Sequence, residues 1–321
     1  MTPAGRQGLM AVAIVLFVLG FIWSSWHKDL LPPERFVVAR GASAHQIAQQ
    51  LRRQGLIWHP WTFLIWVKLH GKTNIRPGVY SISRSLGGLQ ILRVLRAGPP
   101  LVRVTFPEGW TSKQMAALLD SKDVTSGADF LAAVGKNKRE GFLFPDTYFF
   151  EQGLAPSQVI DRMVQRFHEK EPKDMMAQAK ALHVSYLQIV TMASLVEREA
   201  RVPQERPIIA GVFYNRLRKH WRLESCATVE YALGGWKPQL TYKDLDVSSP
   251  YNTYRHMGLP PGPICNPGAA ALEAAVHPAS TDMMFFVADG GGTHRFSKYY
   301  SEHLAAQGVT VKHRANGNAE Q

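Results

Sequence analysis

The sequence predicts an α+β chain in three parts: an N-terminal membrane segment, a small α/β module and a mostly helical body. Three observations predict it. An uncharged apolar run fills residues 8–26, a strand, glycine turn and capped helix occur twice, and the apolar spacing beyond Leu119 becomes mainly helical. At 321 residues the chain is long enough for two hydrophobic cores. With 45% apolar and 19% charged residues it belongs with folded proteins rather than disordered ones.

Residues 8–26 include Leu9, Val12, Ile14, Val15, Leu16, Phe17, Val18, Leu19, Phe21 and Ile22. Such a run, at about 1.5 Å rise per residue, crosses a bilayer core of roughly 30 Å. Trp23 and Trp26 suit an interfacial belt at its far end. The run exceeds a usual signal-peptide core and no A-x-A site follows it, so we read an uncleaved signal anchor. Arg6 lies in the short segment 1–7 before the span, and Lys28, Arg35 and Arg40 follow it. The positive-inside count therefore does not decide orientation.

After the spacer Leu31-Pro32-Pro33, residues 35–40 read as a strand. Gly41 then makes a turn, and Ser43 caps a helix with Ile47, Ala48 and Leu51 on one face. The pattern returns 68 residues later, with a strand over 102–106, Gly109, Thr111, Gln114, Met115, Ala116 and Leu119. Between the copies, 76–82 reads as a turn and strand, and 86–95 as a helix closed by Gly98-Pro99-Pro100. Small βα units of this kind are similar to LysM modules, which bind N-acetylated glycans, and the LysM-like domain is placed at 34–100. Further helices are expected over 158–170, 172–182, 186–201 and 207–220. Ser185 and Gln188 form a capping box that opens the third of these. Residues 240–268, rich in Pro, Gly and Asn, read as a long ordered loop of the kind that carries function. Residues 283–287 read as a buried strand, and 311–321 as a polar tail.

The formal charge of +12 points to an anionic partner: nucleic acid, anionic lipid or an acidic polymer. No basic run is interleaved with aromatics, which speaks against nucleic acid. Cys226 and Cys265 are too few for a disulfide framework; they form either one bridge or, the preferred reading, two separate thiols. The 12 histidines have no HExxH spacing, so neither metal nor cofactor is assigned.

The chemistry is expected where the apolar helix of residues 186–201 ends. At about 100° per residue and with Met192 at zero, Leu195, Val196 and Glu199 fall near about 300°, 40° and 340°. Glu199 thus interrupts the apolar stripe, whereas Glu197, near about 140°, lies on another face. A carboxyl held against apolar surface keeps its proton and becomes a general acid. Glu197 reads first as a solvated or paired helix charge, and is the fallback.

Residues 193–200, Ala-Ser-Leu-Val-Glu-Arg-Glu-Ala, resemble the signature of the endolytic murein transglycosylases, the YceG-like or MltG family. The resemblance continues through Glu140-Gly141-Phe142-Leu143-Phe144-Pro145-Asp146-Thr147-Tyr148, residues 212–217, residues 251–254 and Gly258-Leu259-Pro260-Pro261-Gly262 with Asn266-Pro267-Gly268. His277-Pro278 and residues 286–290 follow in the family's order. It implies a YceG-like catalytic domain over 101–310 in a bacterial inner-membrane protein facing the periplasm. The implied enzyme is a non-hydrolytic lyase. It cuts the MurNAc–GlcNAc bond within nascent peptidoglycan strands, leaves 1,6-anhydro ends and ends strand elongation beside peptidoglycan synthases.

The resemblance also places the catalytic glutamate at a helix end before a small residue, which is Glu199 before Ala200. Asn215, Tyr251, Asn252, Tyr254 and Asn266 are expected either to contact sugars or to stabilise turns. Asp146 is expected to orient a loop. One departure stands out: Glu224-Ser225-Cys226-Ala227-Thr228 replaces the family's Gln-Ser/Thr-Asp-Pro-Thr. The alternative function is a non-catalytic scaffold that binds cell-wall glycan.

Overall fold

The computed structural model describes residues 32–70, 75–235, 237 and 239–306. The expected anchor at 8–26, with residues 1–7 before it, and the polar tail at 311–321 lie outside the described residues. Among the described residues no single helix is long and apolar enough to cross a membrane.

The chain divides into two units. In the first, β1 (Glu34–Val38) leads to α1 (Ala44–Arg53), α2 (Pro60–Leu69) and β2 (Gly78–Ile82), and α3 (Gly88–Ala97) follows. β1 and β2 pair antiparallel, Phe36 opposite Tyr80. Alternation buries Phe36, Val38, Tyr80 and Ile82, which meet Ile47, Leu51, Phe63, Ile91 and Leu95 in one core. The Tyr80 hydroxyl donates to the carbonyls of Arg76 (2.5 Å) and Leu95 (3.1 Å), tying the β2 entry to α3. Sequence periodicity did not reveal α2, because its residues are apolar nearly all round.

The strand β3 (Leu101–Thr105) precedes α4 (Ser112–Ser121), α5 (Gly127–Lys136) and β4 (Thr147–Glu151), and β3 pairs with β4. Most of the second unit is helical: α6 (Pro156–Lys170), α7 (Met175–Ala181), α8 (Tyr186–Glu199), α9 (Arg206–Arg218), α10 (Cys226–Ala232), α11 (Tyr242–Leu245) and α12 (Ala269–Val276). The hairpin of β5 (Phe285–Ala288) and β6 (His294–Ser297), followed by α13 (Tyr300–Ala306), completes the described chain.

The core centres on α8. Every residue from Ile189 to Val196 is buried, enclosed mainly by α9 and α12. Its start is the capping box expected from sequence: Gln188 N–H donates to Ser185 Oγ (3.2 Å), and Ser185 N–H to Gln188 Oε1 (2.7 Å). The helix stops where Ala200 turns to extended backbone, three residues before Pro203.

The repeated motif has the same local form in both places. Gly41 and Gly109 have φ of 74° and 76°, a left-handed conformation that glycine adopts without Cβ strain. Ser43 pairs reciprocally with Gln46, and Thr111 with Gln114. The helix faces that follow bury Ile47, Ala48 and Leu51 in one copy and Met115, Ala116 and Leu119 in the other.

Candidate active site

The last turn of α8 sends its two glutamates into different surroundings. Two residues at about 100° each separate them by about 200° around the helix. Glu197 Oε2 accepts from the Gly268 N–H (3.0 Å), and Oε1 lies 3.6 Å from Arg206 Nη2. Burial is the largest influence on Glu197 and raises its proton affinity; the Gly268 amide and Arg206 oppose it, and Glu108 adds to it. With a backbone donor and a cation, this carboxyl joins α8, α9 and the start of α12.

Among the described residues, Glu199 has no cation within ion-pair distance. Its Oε1 accepts a short hydrogen bond from the Ser225 hydroxyl, and the Ala227 backbone amide favours the charged form of the same carboxyl. Desolvation dominates and raises its proton affinity; Ser225, the charge of His294 and Ala227 oppose this, and Glu230 reinforces it. The wheel position read from sequence has its physical result here: a carboxyl on the apolar stripe is taken out of water.

Ser225 is held from two directions. Its N–H donates to Thr253 Oγ1 (3.0 Å), while the hydroxyls of Thr253 and Thr228 lie 2.9 Å apart. Preceding it, Leu223 C=O accepts from Arg216 Nη1 (2.8 Å), whose Nε donates to Met284 C=O (2.8 Å). Arg216 is itself buried, 5.3 Å from the Phe285 ring centre. The long loop 240–268 therefore builds the site through Thr253, and Ser194 of α8 fixes the loop's far end by accepting from Ile264 N–H (3.0 Å).

The three asparagines named as sugar contacts have their amides engaged by the protein itself. Asn215 Nδ2 donates to the carbonyls of Thr281 (2.8 Å) and Met283 (2.9 Å). Asn252 Nδ2 donates to Leu245 and Val247, and its Oδ1 accepts from Tyr254 N–H. Asn266 Oδ1 accepts from Gly141 and Leu143 N–H (both 2.9 Å), and its Nδ2 donates to Trp110 C=O and Glu140. Buried as they are, these side chains build loops; the turn-forming alternative describes their observed contacts. Tyr254 and Tyr251 are only partly buried. Tyr254 Oη lies 3.2 Å from Cys226 Sγ, beside Glu199, and the Tyr251 ring is 4.8 Å from that of Tyr231.

Cys226 and Cys265 are both free thiols, the first exposed and the second buried against Ser194 C=O. Asp146 accepts from Thr147 N–H and from Arg166 Nε (2.7 Å each), the loop-orienting role expected of it. Among the described residues no group of three His, Cys, Asp or Glu is placed to hold a metal ion.

A cavity of about 580 Å³ opens beside α8, lined by Lys113, Glu140, Arg198, Ala227, Glu230 and Tyr231 among others. Glu199 is not on its wall, but Ala227, whose amide favours the Glu199 carboxylate, is. Glu140 is another carboxyl withdrawn from water, raised in proton affinity chiefly by desolvation, yet both its oxygens are occupied. Ser112 donates to it through N–H and hydroxyl, and Asn266 through Nδ2 (2.9 Å). Sequence reasoning missed Ser225, Arg216 and Glu140 as site residues. Each stood within a motif already noticed, but Ser225 reaches Glu199 across 26 residues, Arg216 reaches Met284 across 68 and Glu140 reaches Asn266 across 126.

The model of the YceG-like family matches residues 36–308. The endolytic murein transglycosylase of Bacillus subtilis (strain 168) is 32% identical, with 87% of this chain and 85% of that protein aligned. The protein of the same name from Streptococcus pneumoniae serotype 2 (strain D39) is 28% identical over 78% of this chain, which spans about half of it (53%). Among solved structures, the 2.6 Å crystal structure of a yceG-like protein from Listeria monocytogenes is 32% identical, with a TM-score of 0.57, covering 85% of this chain and 98% of that one. Helix α8 with its two glutamates and the loops that close on it thus sit within a match spanning nearly all the described residues, and the chain belongs to the YceG-like family.

Proposed function

We propose that this chain is a membrane-anchored lytic transglycosylase that cuts peptidoglycan glycan strands internally, with Glu199 as its acid and base. The observation that carries the assignment is the Glu199 carboxyl, desolvated at the end of α8 and met by the Ser225 hydroxyl and the Ala227 amide. The names of the B. subtilis and S. pneumoniae relatives support the reaction class.

In this reading the bond cut joins MurNAc to GlcNAc. Protonated Glu199 gives its proton to the glycosidic oxygen as the C1–O bond breaks. The substrate's N-acetyl oxygen stabilises the electron-poor C1. Glu199, now a carboxylate held by Ser225 and Ala227, takes the proton of the C6 hydroxyl as O6 closes on C1. The product is a 1,6-anhydro end, no water is consumed, and one carboxyl serves where most glycosidases use two. Tyr251 and Tyr254 contact sugar, while Asn215, Asn252 and Asn266 shape the loops that present them. The β1–α1–α2–β2 order supports a LysM-like reading of residues 34–100 as a glycan-binding module. The apolar run at 8–26 supports a single-pass anchor that keeps the enzyme, in the periplasm, beside peptidoglycan synthases.

The test is digestion of peptidoglycan by the full chain and its Glu199→Gln and Glu197→Gln variants, with mass spectrometry of the products. Internal anhydro fragments that disappear only with Glu199→Gln support the assignment. Reducing ends from the folded wild-type protein would make it a hydrolase, and no cleavage at all would leave a glycan-binding scaffold.

A further inference from the structure

The first unit leaves an apolar helix face uncovered. Eight of the ten residues of α2, Pro-Trp-Thr-Phe-Leu-Ile-Trp-Val-Lys-Leu, are apolar. Phe63 is buried, and Leu64, Trp66 and Val67 pack partly against the core. Trp61, Ile65 and Leu69, spaced four apart on the opposite face, remain 59%, 46% and 69% exposed. A helix on the surface of a water-soluble protein would be polar there. The one charge on the exposed side is Lys68, whose aliphatic stem can lie along apolar surface while its ammonium reaches a polar layer.

We infer that this face of α2 docks on an anionic lipid surface, seating the first unit against the membrane. The inference rests on reading residues 8–26 as a membrane span, and two further observations choose lipid as the occupant. Only residues 27–33 separate that apolar run from Glu34 of β1, so the extended connection to Glu34 reaches at most about 28 Å. The module is therefore held within reach of the surface. Residues 34–100 also contain ten lysines and arginines against the single acid Glu34, nine of the chain's formal +12. That excess repels a second copy of the same module and attracts anionic headgroups. Tryptophan favours the membrane interface, and Ile65 and Leu69 offer a sugar no polar contact but suit acyl chains.

The test uses the full chain reconstituted in vesicles of phosphatidylcholine containing about one quarter phosphatidylglycerol, enough to give an anionic surface. A trace of phospholipid carries a photoactivatable diazirine in its acyl chain, and cross-linked peptides are mapped by mass spectrometry. Cross-links are expected both within 8–26 and within 60–69. Those in 60–69 should fall at least about fivefold in Trp61→Ser/Leu69→Ser, and also in vesicles of phosphatidylcholine alone. Both substituted positions are exposed, and circular dichroism checks that the variant retains its fold. Cross-links confined to 8–26 would overturn the docking inference and leave the anchor standing. Their absence from 8–26 would remove the anchor reading, whatever happens at α2. Protection of 60–69 from hydrogen exchange by soluble peptidoglycan fragments, without lipid cross-links there, would assign the face to glycan; protection that grows with protein concentration would assign it to a second copy.

Discussion

The pockets of Glu197 and Glu199 lie on opposite sides of one helical turn, and they treat the same side chain differently. Glu197 faces Arg206 and a backbone amide, so its charge has a partner and its position is an anchor between helices. Glu199 faces a hydroxyl and an amide but, among the described residues, no paired cation, and desolvation works to keep it protonated. Burial alone thus does not identify a catalytic acid. Both carboxyls are withdrawn from water and both are raised in proton affinity; the groups that receive the charge separate them.

The comparison is broken most directly by Glu199→Gln, which keeps the shape and removes the proton. Loss of anhydro product by about 10²–10⁴-fold, the usual range for a general acid, is the expected outcome, with an unchanged far-ultraviolet spectrum. If Glu197→Gln loses as much activity while staying folded, the two roles have been exchanged. Arg206→Met should leave Glu197 buried without its cation and lower stability by about 3 kcal/mol, read from the urea midpoint.

Ser225→Ala sharpens the contrast. Removing a hydroxyl that favours the carboxylate raises the proton affinity of Glu199 further, so the alkaline limb of the pH–rate profile should move to higher pH. The rate below that limb should fall by about tenfold, as one hydrogen bond to a charged group is worth about 1.5 kcal/mol. Stability has its own pH signature. A carboxyl with raised folded affinity contributes fully below its unfolded value of 4.5, and the contribution is lost as pH rises through the folded value. Glu199→Gln should flatten that decline, a prediction checked by urea unfolding across pH.

The smallest effect expected comes from the repeated motif. Gly41→Ala and Gly109→Ala each force a Cβ into the left-handed region, at about 1 kcal/mol apiece. A Cβ at Gly41 meets no atom within 4 Å, while one at Gly109 comes within 3.6 Å of Glu197 Cγ and 3.8 Å of Arg198 Cδ. Equal losses of stability, with a change in cleavage rate only for Gly109→Ala, would distinguish the copy that supports the site.

Local pattern carried much of this molecule. The capping boxes at Ser43, Thr111 and Ser185 and the wheel position of Glu199 depend on neighbours within one or two helical turns, and could be read along the chain. Periodicity failed at α2, where apolar residues occupy both faces, and offered no hint of β6, a four-residue strand paired in a hairpin. The surroundings of Glu199 were illegible for another reason. Glu199, Ser225 and Thr253 meet only because three separate segments fold together, and no local spacing encodes that meeting. The asparagines show the same limit: the residue type fits a sugar or a carbonyl equally, and only the fold supplied the carbonyls.

Glu199 is the final residue of α8, and Ala227 belongs to the first turn of α10. The carboxyl therefore stands between the carbonyl end of one helix and the amide end of another. Aligned peptide dipoles give these ends partial charges of about −0.5 and +0.5. The first discourages a negative charge and holds the proton on; the second welcomes the charge once the proton has gone. Two opposed helix ends thus act on one side chain in opposite directions, which suits the proposed role of a group that lends a proton and recovers one within the same cycle.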